Sequence, residues 1–356
     1  MEQHERYTRA GVNIAAGARA VELMKAAVQA THGPEVLAGV GAFGGLYSAA
    51  AIAAMHAPVL VASTDGVGTK TMVAAHLGRW DTIGQDLVYH CVNDILVQGA
   101  HPLFFLDYIA ASQLEPPQIA AIVEGMAVAC RATGCALLGG ETAEMPGVYQ
   151  AGAIDLVGTI VGVVEHAHIV DGSRIAAGDV LLGLPASGLH TNGYSLARAV
   201  LADLDWSTHH PELGCSPGDA LLAVHRCYLG AVRSLQAAGV EVRGMAHITG
   251  GGVLDNLPRI LPPGVSGIIR RGTWPVLPIF RLIQRMGNVT ERELFHVFNM
   301  GLGMVVVVPP EHVALAQRAL AAAAHDLHDD LHDAYAVAVI GEVVVSQSGQ
   351  ERVVLA

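Results

Sequence analysis

Short apolar runs rich in Val, Ile and Leu alternate along this chain with longer segments whose apolar residues recur every three or four positions. The first pattern is that of buried strands, the second that of amphipathic helices. Strands are expected at 59–62, 103–109, 136–138, 156–164, 180–184, 304–308 and 335–345. Helices are expected at 15–30, 70–77, 81–98, 118–133, 219–238 and 311–327, with another opening near Tyr194. In the first of these Val21, Met24 and Val28 share a face and Lys25 lies off it. Gly99 and the restrictive His101-Pro102 pair end the 81–98 helix, Gly134 caps the 118–133 helix, and Thr290 with Glu293 forms a capping box for a helix through Phe298. Strands and helices interleave in both halves, so the fold class is α/β (α+β), built as mixed α/β domains. At 356 residues the chain suffices for about two domains with separate cores. The stretch 165–178, rich in charge, glycine and small residues, marks the junction, giving domains 1–168 and 169–356.

Composition narrows the partners. Hydrophobic residues make up 52% of the chain and charged ones 15%, so much of it must be buried. A formal net charge of −12 with no Lys/Arg cluster excludes a nucleic-acid surface, because a phosphate backbone would be repelled. The five cysteines are odd in number and include no C-x-x-C pair, which fits a reducing, cytoplasmic setting. Glu2, Glu5, Arg6 and Arg9 are followed by no signal-peptide core. Positions 36–64 carry no Asp, Glu, Lys or Arg, but Gly39, Gly41, Gly44, Gly45, His56 and Pro58 interrupt them, so a membrane span is not expected. So much uncharged surface is hard to cover within one domain, and a two-fold dimer is the commonest cover.

Candidate chemistry gathers where apolar runs meet glycines and acids. The 58–70 stretch is an apolar β-branched run behind Pro58, then Asp65, Gly66 and Gly68, then Lys70 at a helix start. A carboxylate, free amides and an ammonium at a strand's carboxyl end suit a metal-bound phosphate, while the bland reading is a strand and a solvated turn. The spacing is not that of a Walker loop. The glycines of 39–45 can wrap phosphates or merely turn the chain. On the 81–98 helix Asp86, His90 and Asp94 recur every four residues, while Ile83, Leu87, Cys91, Ile95 and Leu96 crowd the other faces. A carboxylate on so buried a helix needs a cation or donors, which favours a ligand role for Asp94. Further glycine clusters follow apolar approaches at 139–147 and 247–252, and the small hydroxyls, glycines, His190 and Asn192 of 186–195 suit an anion at a helix start. The acidic and histidine-rich tract 325–333, the sequon Asn288-Val-Thr290 and the Cys130/Cys135 pair are set aside as a solvated surface, an idle match and buried thiols.

Taken in order, the segments Ser63-Thr-Asp-Gly-Val-Gly-Thr-Lys70, Cys91-Val-Asn-Asp-Ile95, Pro102-Leu-Phe-Phe-Leu-Asp-Tyr108, Gly139-Gly-Glu-Thr-Ala-Glu-Met-Pro-Gly147, Ser187-Gly-Leu-His-Thr-Asn-Gly-Tyr-Ser195, His247-Ile-Thr-Gly-Gly-Gly252 and Phe298-Asn-Met-Gly-Leu-Gly-Met304 resemble the phosphoribosylformylglycinamidine cyclo-ligase family, also called aminoimidazole ribonucleotide synthetases. The resemblance spans about Tyr7 to Val345. It implies two α/β domains, a homodimer formed through the N-terminal sheet, and ATP-dependent, Mg²⁺-dependent closure of formylglycinamidine ribonucleotide to the aminoimidazole nucleotide of purine biosynthesis. It implies Asp65, Asp94 and Glu141 as Mg²⁺ ligands, with Asp94 also catalytic. Lys25, Gly44, Gly45, Asp65, Lys70, Gly139 and Gly140 would face ATP. Ser187, Gly188, His190, Asn192, Gly250, Gly251 and Gly252 would bind the substrate. His190 and His247 are proton-transfer candidates, with hydrogen bonding to a phosphate or ribose as the other reading.

Small departures stand at Arg9, Asn13, Asp255 and His296, where the family more often has acids, acids, Glu and Arg. Relatives of the same architecture, such as selenophosphate synthetase or thiamine-phosphate kinase, are the runner-up reading. The former usually needs a reactive Cys near its N-terminus, and here no cysteine precedes Cys91. A non-catalytic nucleotide-binding partner protein is the third.

Overall fold

The computed structural model describes residues 11–38, 41–326, 337–347, 349 and 351–356. They fall into two units, one running to Ile95 and resuming over Ala100–Ala167, the other comprising Leu96–Gly99 and His168–Ala356.

In the first unit a short hairpin, β1 (Val36–Ala38) and β2 (Leu46–Tyr47), precedes a four-stranded sheet of β3 (Pro58–Gly66), β4 (His101–Ala111), β5 (Ala136–Glu144) and β6 (Ile154–Glu165). The order is β3-β6-β4-β5, antiparallel except for β4 with β5. Parallel neighbours need a crossover, and the Pro116–Thr133 helix supplies it, opened by Pro116 and closed by Gly134 in the left-handed conformation at φ 70°. That helix and the Ile83–Leu96 helix bury Leu87, Ile95, Ile119, Ile122 and Met126. The Ile14–Gln29 helix, whose first turn is capped by Asn13 Oδ1 accepting from the Ala16 N–H at 3.1 Å, packs on the Pro116–Thr133 helix.

The second unit is a six-stranded sheet of β7 (Val180–Pro185), β8 (Gly244–His247), β9 (Val265–Ile269), β10 (Leu302–Val308), β11 (Ala338–Val345) and β12 (Val353–Leu355), ordered β12-β9-β11-β7-β10-β8. Every residue of β10 is buried, as its unbroken apolar run requires of a strand covered on both faces. Because β10 runs antiparallel to both β7 and β8, the carboxyl ends of β7 and β8 and the start of β10 lie at one end of the sheet. The loops 186–193, 248–251 and 299–301 therefore meet there.

Three expectations change. The 136–138 strand extends to Glu144 because β4 continues to pair with it out to Ala111. The single 219–238 helix is two, Pro217–Leu222 and Leu229–Ala237, parted at Ala223, which turns extended at φ −48°, ψ 126°. Hydrogen bonds from Tyr228 Oη (2.9 Å) and Arg226 Nη1 (3.2 Å) to the Pro185 carbonyl draw the 223–228 segment out of helical geometry. The strands β9 and β12 and the amphipathic Pro278–Gly287 helix were not expected. Positions 7–10, 39–40 and 327–336, which include parts of the glycine loop, the histidine-rich tract and the 335–345 run, lie outside the described residues.

Candidate active site

Pairing carries one row of residues across the first sheet, with Asp65 opposite Gly158, Gly158 opposite Asp107 and Asp107 opposite Gly140. Directly paired residues point to one face, so Asp65 and Asp107 share it. The Ile83–Leu96 helix meets Asp65 with its charged stripe. His90 Nε2 lies 2.9 Å from Asp65 Oδ2 and 3.7 Å from Asp94 Oδ2, with the imidazole buried and the two carboxylates 49% and 24% exposed. Ser63 Oγ donates to Asp94 Oδ2 at 3.0 Å, and the Gly66 N–H donates to Asp65 Oδ1 at 2.7 Å. Burial alone would lower the His90 pKa, but the hydrogen bond to Asp65 and the charges of Asp94, Asp65 and Asp86 outweigh it and raise it above the ordinary histidine value. Two partly exposed carboxylates converging beside one imidazole form a hard-oxygen donor set suited to a divalent cation.

Lys70 and Glu141 sit elsewhere than the sequence suggested. Lys70 Nζ is 2.8 Å from Asp86 Oδ2, and both side chains are fully buried. Burial lowers the lysine pKa and Asp86 pulls it back up. The ammonium thus neutralises a buried acid on the helix where the sequence already demanded a cation. Glu141 is exposed and pairs with Tyr108, one position out of the Asp65–Asp107 row, so strand alternation turns it to the opposite face.

Asp107 was missed as a site residue. Burial, opposed by a backbone N–H and aided by the charge of Glu141, pushes its carboxyl up to about 7. A Cβ at Gly140 would lie 2.3 Å from Asp107 Oδ1, so only glycine admits that carboxyl. Its folded pKa lies above the unfolded value of about 3.9, so its contribution to stability is complete below that value and is lost as pH rises through 7. Asp107→Asn should therefore raise stability near pH 8 by about 1–2 kcal/mol, discounted for partial exposure. Thermal melts should show the gap narrowing steadily as pH is lowered towards 5. A gap independent of pH would mean an ordinary carboxylate.

Among the nucleotide candidates, Lys25 is exposed on the Ile14–Gln29 helix, Gly44 and Gly45 are exposed beside β2, and Gly139 and Gly140 lie in β5. The Gly45 backbone approaches Leu138 of β5.

The second unit gathers the other set at its loop end. His190 is fully buried at φ 62°, and its Nε2 accepts from the Ser187 N–H at 3.2 Å. Asn299 Nδ2 donates to the Gly188 carbonyl at 2.9 Å, and Asn256 Nδ2 donates to the carbonyls of Thr249, Gly250 and Gly252, shaping the glycine loop. A Cβ at Gly250 would stand 3.2 Å from Asn192 Oδ1, which brings that loop beside the 186–193 loop. His247 ends β8, and its Nε2 lies 3.0 Å from Nε2 of His225, whose ring stacks on His190 at 4.0 Å. A Cβ at Gly303 would lie 1.7 Å from Tyr228 Oη and 2.8 Å from His190 Cε1, so this glycine makes room for the cluster. Nitrogens of His190, His225 and His247 fall within 4.8 Å of one another. The His190 and His225 rings are only 23° from parallel, however, and stacked rings do not aim their lone pairs at one ion. The arrangement is a hydrogen-bonded histidine stack. His225 was missed because it sits in the segment read as continuous helix; a His-Arg pair inside an apolar run was the available signal.

Residues 47–164 match the AIR synthase related protein N-terminal domain, and residues 176–354 match the C-terminal domain of the same description. The two sheets with their glycine loops and acids therefore define an AIR synthase-related protein. The chain is 53% identical over 317 residues to a phosphoribosylformylglycinamidine cyclo-ligase of Desulfitobacterium hafniense, covering 89% of this chain and 93% of that one. It is 52% identical over 311 residues to one of Geobacillus kaustophilus, covering 86% and 89%. It belongs to the phosphoribosylformylglycinamidine cyclo-ligase family. Among solved structures it shares its fold with a hydrogenase maturation protein HypE in complex with ATP (TM-score 0.65, 17% identity, 95% of this chain and 90% of that one). It also shares it with a thiamine-monophosphate kinase of Stenotrophomonas maltophilia (TM-score 0.63, 16% identity, 95% of each).

Proposed function

We propose that this protein closes the imidazole ring of purine biosynthesis, converting formylglycinamidine ribonucleotide and ATP to 5-aminoimidazole ribonucleotide, ADP and phosphate. The observation that carries the proposal is identity of 53% to a named cyclo-ligase over 89% of the chain. ATP phosphorylates the formyl oxygen, a substrate nitrogen attacks that carbon, and the oxygen leaves as phosphate. Oxide could not leave, and phosphate can.

Asp65 and Asp94 are the residues we assign to Mg²⁺, which would offset charge on the transferring phosphoryl group. Glu141, on the other face of the sheet, is omitted. Lys25, Gly44, Gly45, Gly139 and Gly140 are assigned to the nucleotide, and Lys70 to holding Asp86 beneath His90. Ser187, Gly188, His190, Asn192, His247 and Gly250 to Gly252 are assigned to the substrate. Purified protein given ATP, Mg²⁺ and formylglycinamidine ribonucleotide should release ADP and phosphate in step with the aminoimidazole nucleotide. ATP hydrolysis independent of that substrate, with no imidazole formed, would sink the assignment.

A homodimer through the first sheet is part of the proposal. Leu37, Phe43, Leu46 and Leu60 are exposed within the uncharged 36–64 run, and the outer face of β3 is open. Such a patch calls for a cover. Sedimentation at micromolar concentration should give about twice the 37.0 kDa chain mass. A monomer with full activity would refute it. All five cysteines are free, which supports a cytoplasmic setting, and no helix among the described residues is long and apolar enough to cross a membrane.

A further inference from the structure

The glycine loop that follows β8 is built around one buried amide. The Gly252 N–H donates to the Thr249 carbonyl at 3.0 Å, which closes a β-turn over residues 249–252. Gly251 is left-handed at φ 91°, ψ −8°, and Gly250 is not left-handed, so the turn is type II. Between types I and II, ψ of the second residue and φ of the third change by roughly 150–170°, which turns over the central peptide. That peptide joins Gly250 to Gly251, and with glycine on both sides of it either orientation is open. The end of the turn is not free to follow. A Cβ at Gly252 would lie 2.0 Å from the Phe295 carbonyl oxygen, so this glycine is pressed against the neighbouring helix.

Asn256 decides the orientation. Its side chain is buried. Carbonyls only accept, so the face it turns to them is its NH₂ group. Nδ2 donates to the Gly252 carbonyl at 2.8 Å, the Gly250 carbonyl at 3.2 Å and the Thr249 carbonyl at 3.4 Å. Thr249 Oγ1 donates to Oδ1 at 3.3 Å, which keeps the amide from turning over. The bond to Gly252 fixes the side chain, and the bond to Gly250 holds the central peptide with its carbonyl inward. The peptide is trans and planar, so the Gly251 N–H points the opposite way, out of the turn. Gly250 is exposed and Gly251 half-buried, which leaves that face of the peptide open to a ligand. A reversed peptide would put the Gly250 oxygen there instead.

We propose that Asn256 is a positioning residue for ring closure: it locks the Gly250–Gly251 peptide so that the Gly251 N–H, and not the Gly250 carbonyl, meets the phosphate of the nucleotide substrate. The identity of that substrate rests on the ring-closing reading above; the turn and its lock do not. A phosphate dianion offers only acceptors, so an outward N–H binds it in a charge-assisted bond and an outward carbonyl repels it. Asn256 itself touches no reacting atom and acts through the loop.

The test compares formylglycinamidine ribonucleotide with the same compound stripped of its phosphate, on the full-length native protein and on Asn256→Ala. The native protein should favour the nucleotide by roughly a hundredfold or more in kcat/KM. In Asn256→Ala kcat/KM for the nucleotide should fall about thirtyfold, mainly through KM, while that for the nucleoside changes less than about threefold. Thr249→Val, nearly isosteric at a half-buried position, removes the hydroxyl that holds Oδ1 and should act in the same sense by about threefold, which keeps the proposal testable should Asn256→Ala not fold. Equal losses for nucleotide and nucleoside would make Asn256 a structural residue and overturn the proposal. So would an unchanged KM for the nucleotide in both variants, or a native protein indifferent to the phosphate. Native protein that makes no imidazole product would defeat the ring-closing reading, and calorimetry with ribose 5-phosphate then decides the lock. Binding weakened about tenfold in Asn256→Ala would leave it standing, and binding absent or unaltered would overturn it.

Discussion

Replacing Lys70 with methionine should destabilise the protein by about 3–5 kcal/mol and lower its melting temperature by roughly 10 °C. Lys70 Nζ lies 2.8 Å from Asp86 Oδ2 with both side chains at 0% exposure, so the substitution strands a carboxylate in the core with its ammonium gone. The loss exceeds that of an ordinary surface pair because water cannot take over the solvation of Asp86. A second substitution tests the mechanism. Lys70→Met with Asp86→Leu removes both charges at similar volume, and such apolar replacements of buried pairs are often neutral. The double variant should recover most of the stability that the single one loses. If Lys70 instead faced a nucleotide phosphate from the surface, the single substitution would leave the melt within a few degrees and raise only the KM for ATP. Denaturant unfolding of the three proteins, with ATP kinetics on each, separates the two.

The sequence was most legible where one physical rule dominated. Pro116 and Pro117, just ahead of the expected 118–133 helix, and Gly134 behind it bracketed a helix that runs Pro116–Thr133, and the Thr290–Glu293 box, in which Thr290 Oγ1 accepts from the Glu293 N–H at 3.2 Å, opened the helix that follows it. The four-residue spacing of Asp86, His90 and Asp94 placed all three on one stripe, which is where they lie. That stripe was then divided by something spacing does not encode. Asp86 is covered and paired with Lys70, whereas Asp94 stays partly open to water. Glu141 illustrates a second limit. Its motif is the family's, but its face depends on a register with β4 in which a shift of one residue reverses every side chain. His225 illustrates a third, since the break at Ala223 comes from hydrogen bonds to Pro185, some forty residues earlier in the chain. Local propensity favours helix there, and tertiary contacts override it.

Asp94→Asn should lower kcat by roughly a hundredfold or more while the protein stays folded. The amide keeps the shape of the side chain and can still accept from Ser63 Oγ, which donates to Asp94 Oδ2 at 3.0 Å, so packing is retained. What disappears is one of the two negative charges beside His90, which lies 3.7 Å from Asp94 and 2.9 Å from Asp65. Two consequences follow in the same protein. A divalent cation loses half of its charged oxygen set, so the Mg²⁺ concentration needed for half-maximal rate should rise. His90 loses a charge that helps raise its pKa, so its titration, followed by NMR, should move down. Asp86→Asn, one helical turn further from Asp94 than His90 is, should behave differently. It leaves the Lys70 ammonium buried without its carboxylate and should act on stability first. A pair of variants that separates in this way, one losing turnover and the other losing fold, is what the two environments on one helix stripe demand. Near-normal kcat and an unchanged Mg²⁺ requirement in Asp94→Asn would make that carboxylate a structural partner of Ser63 and His90 and nothing more.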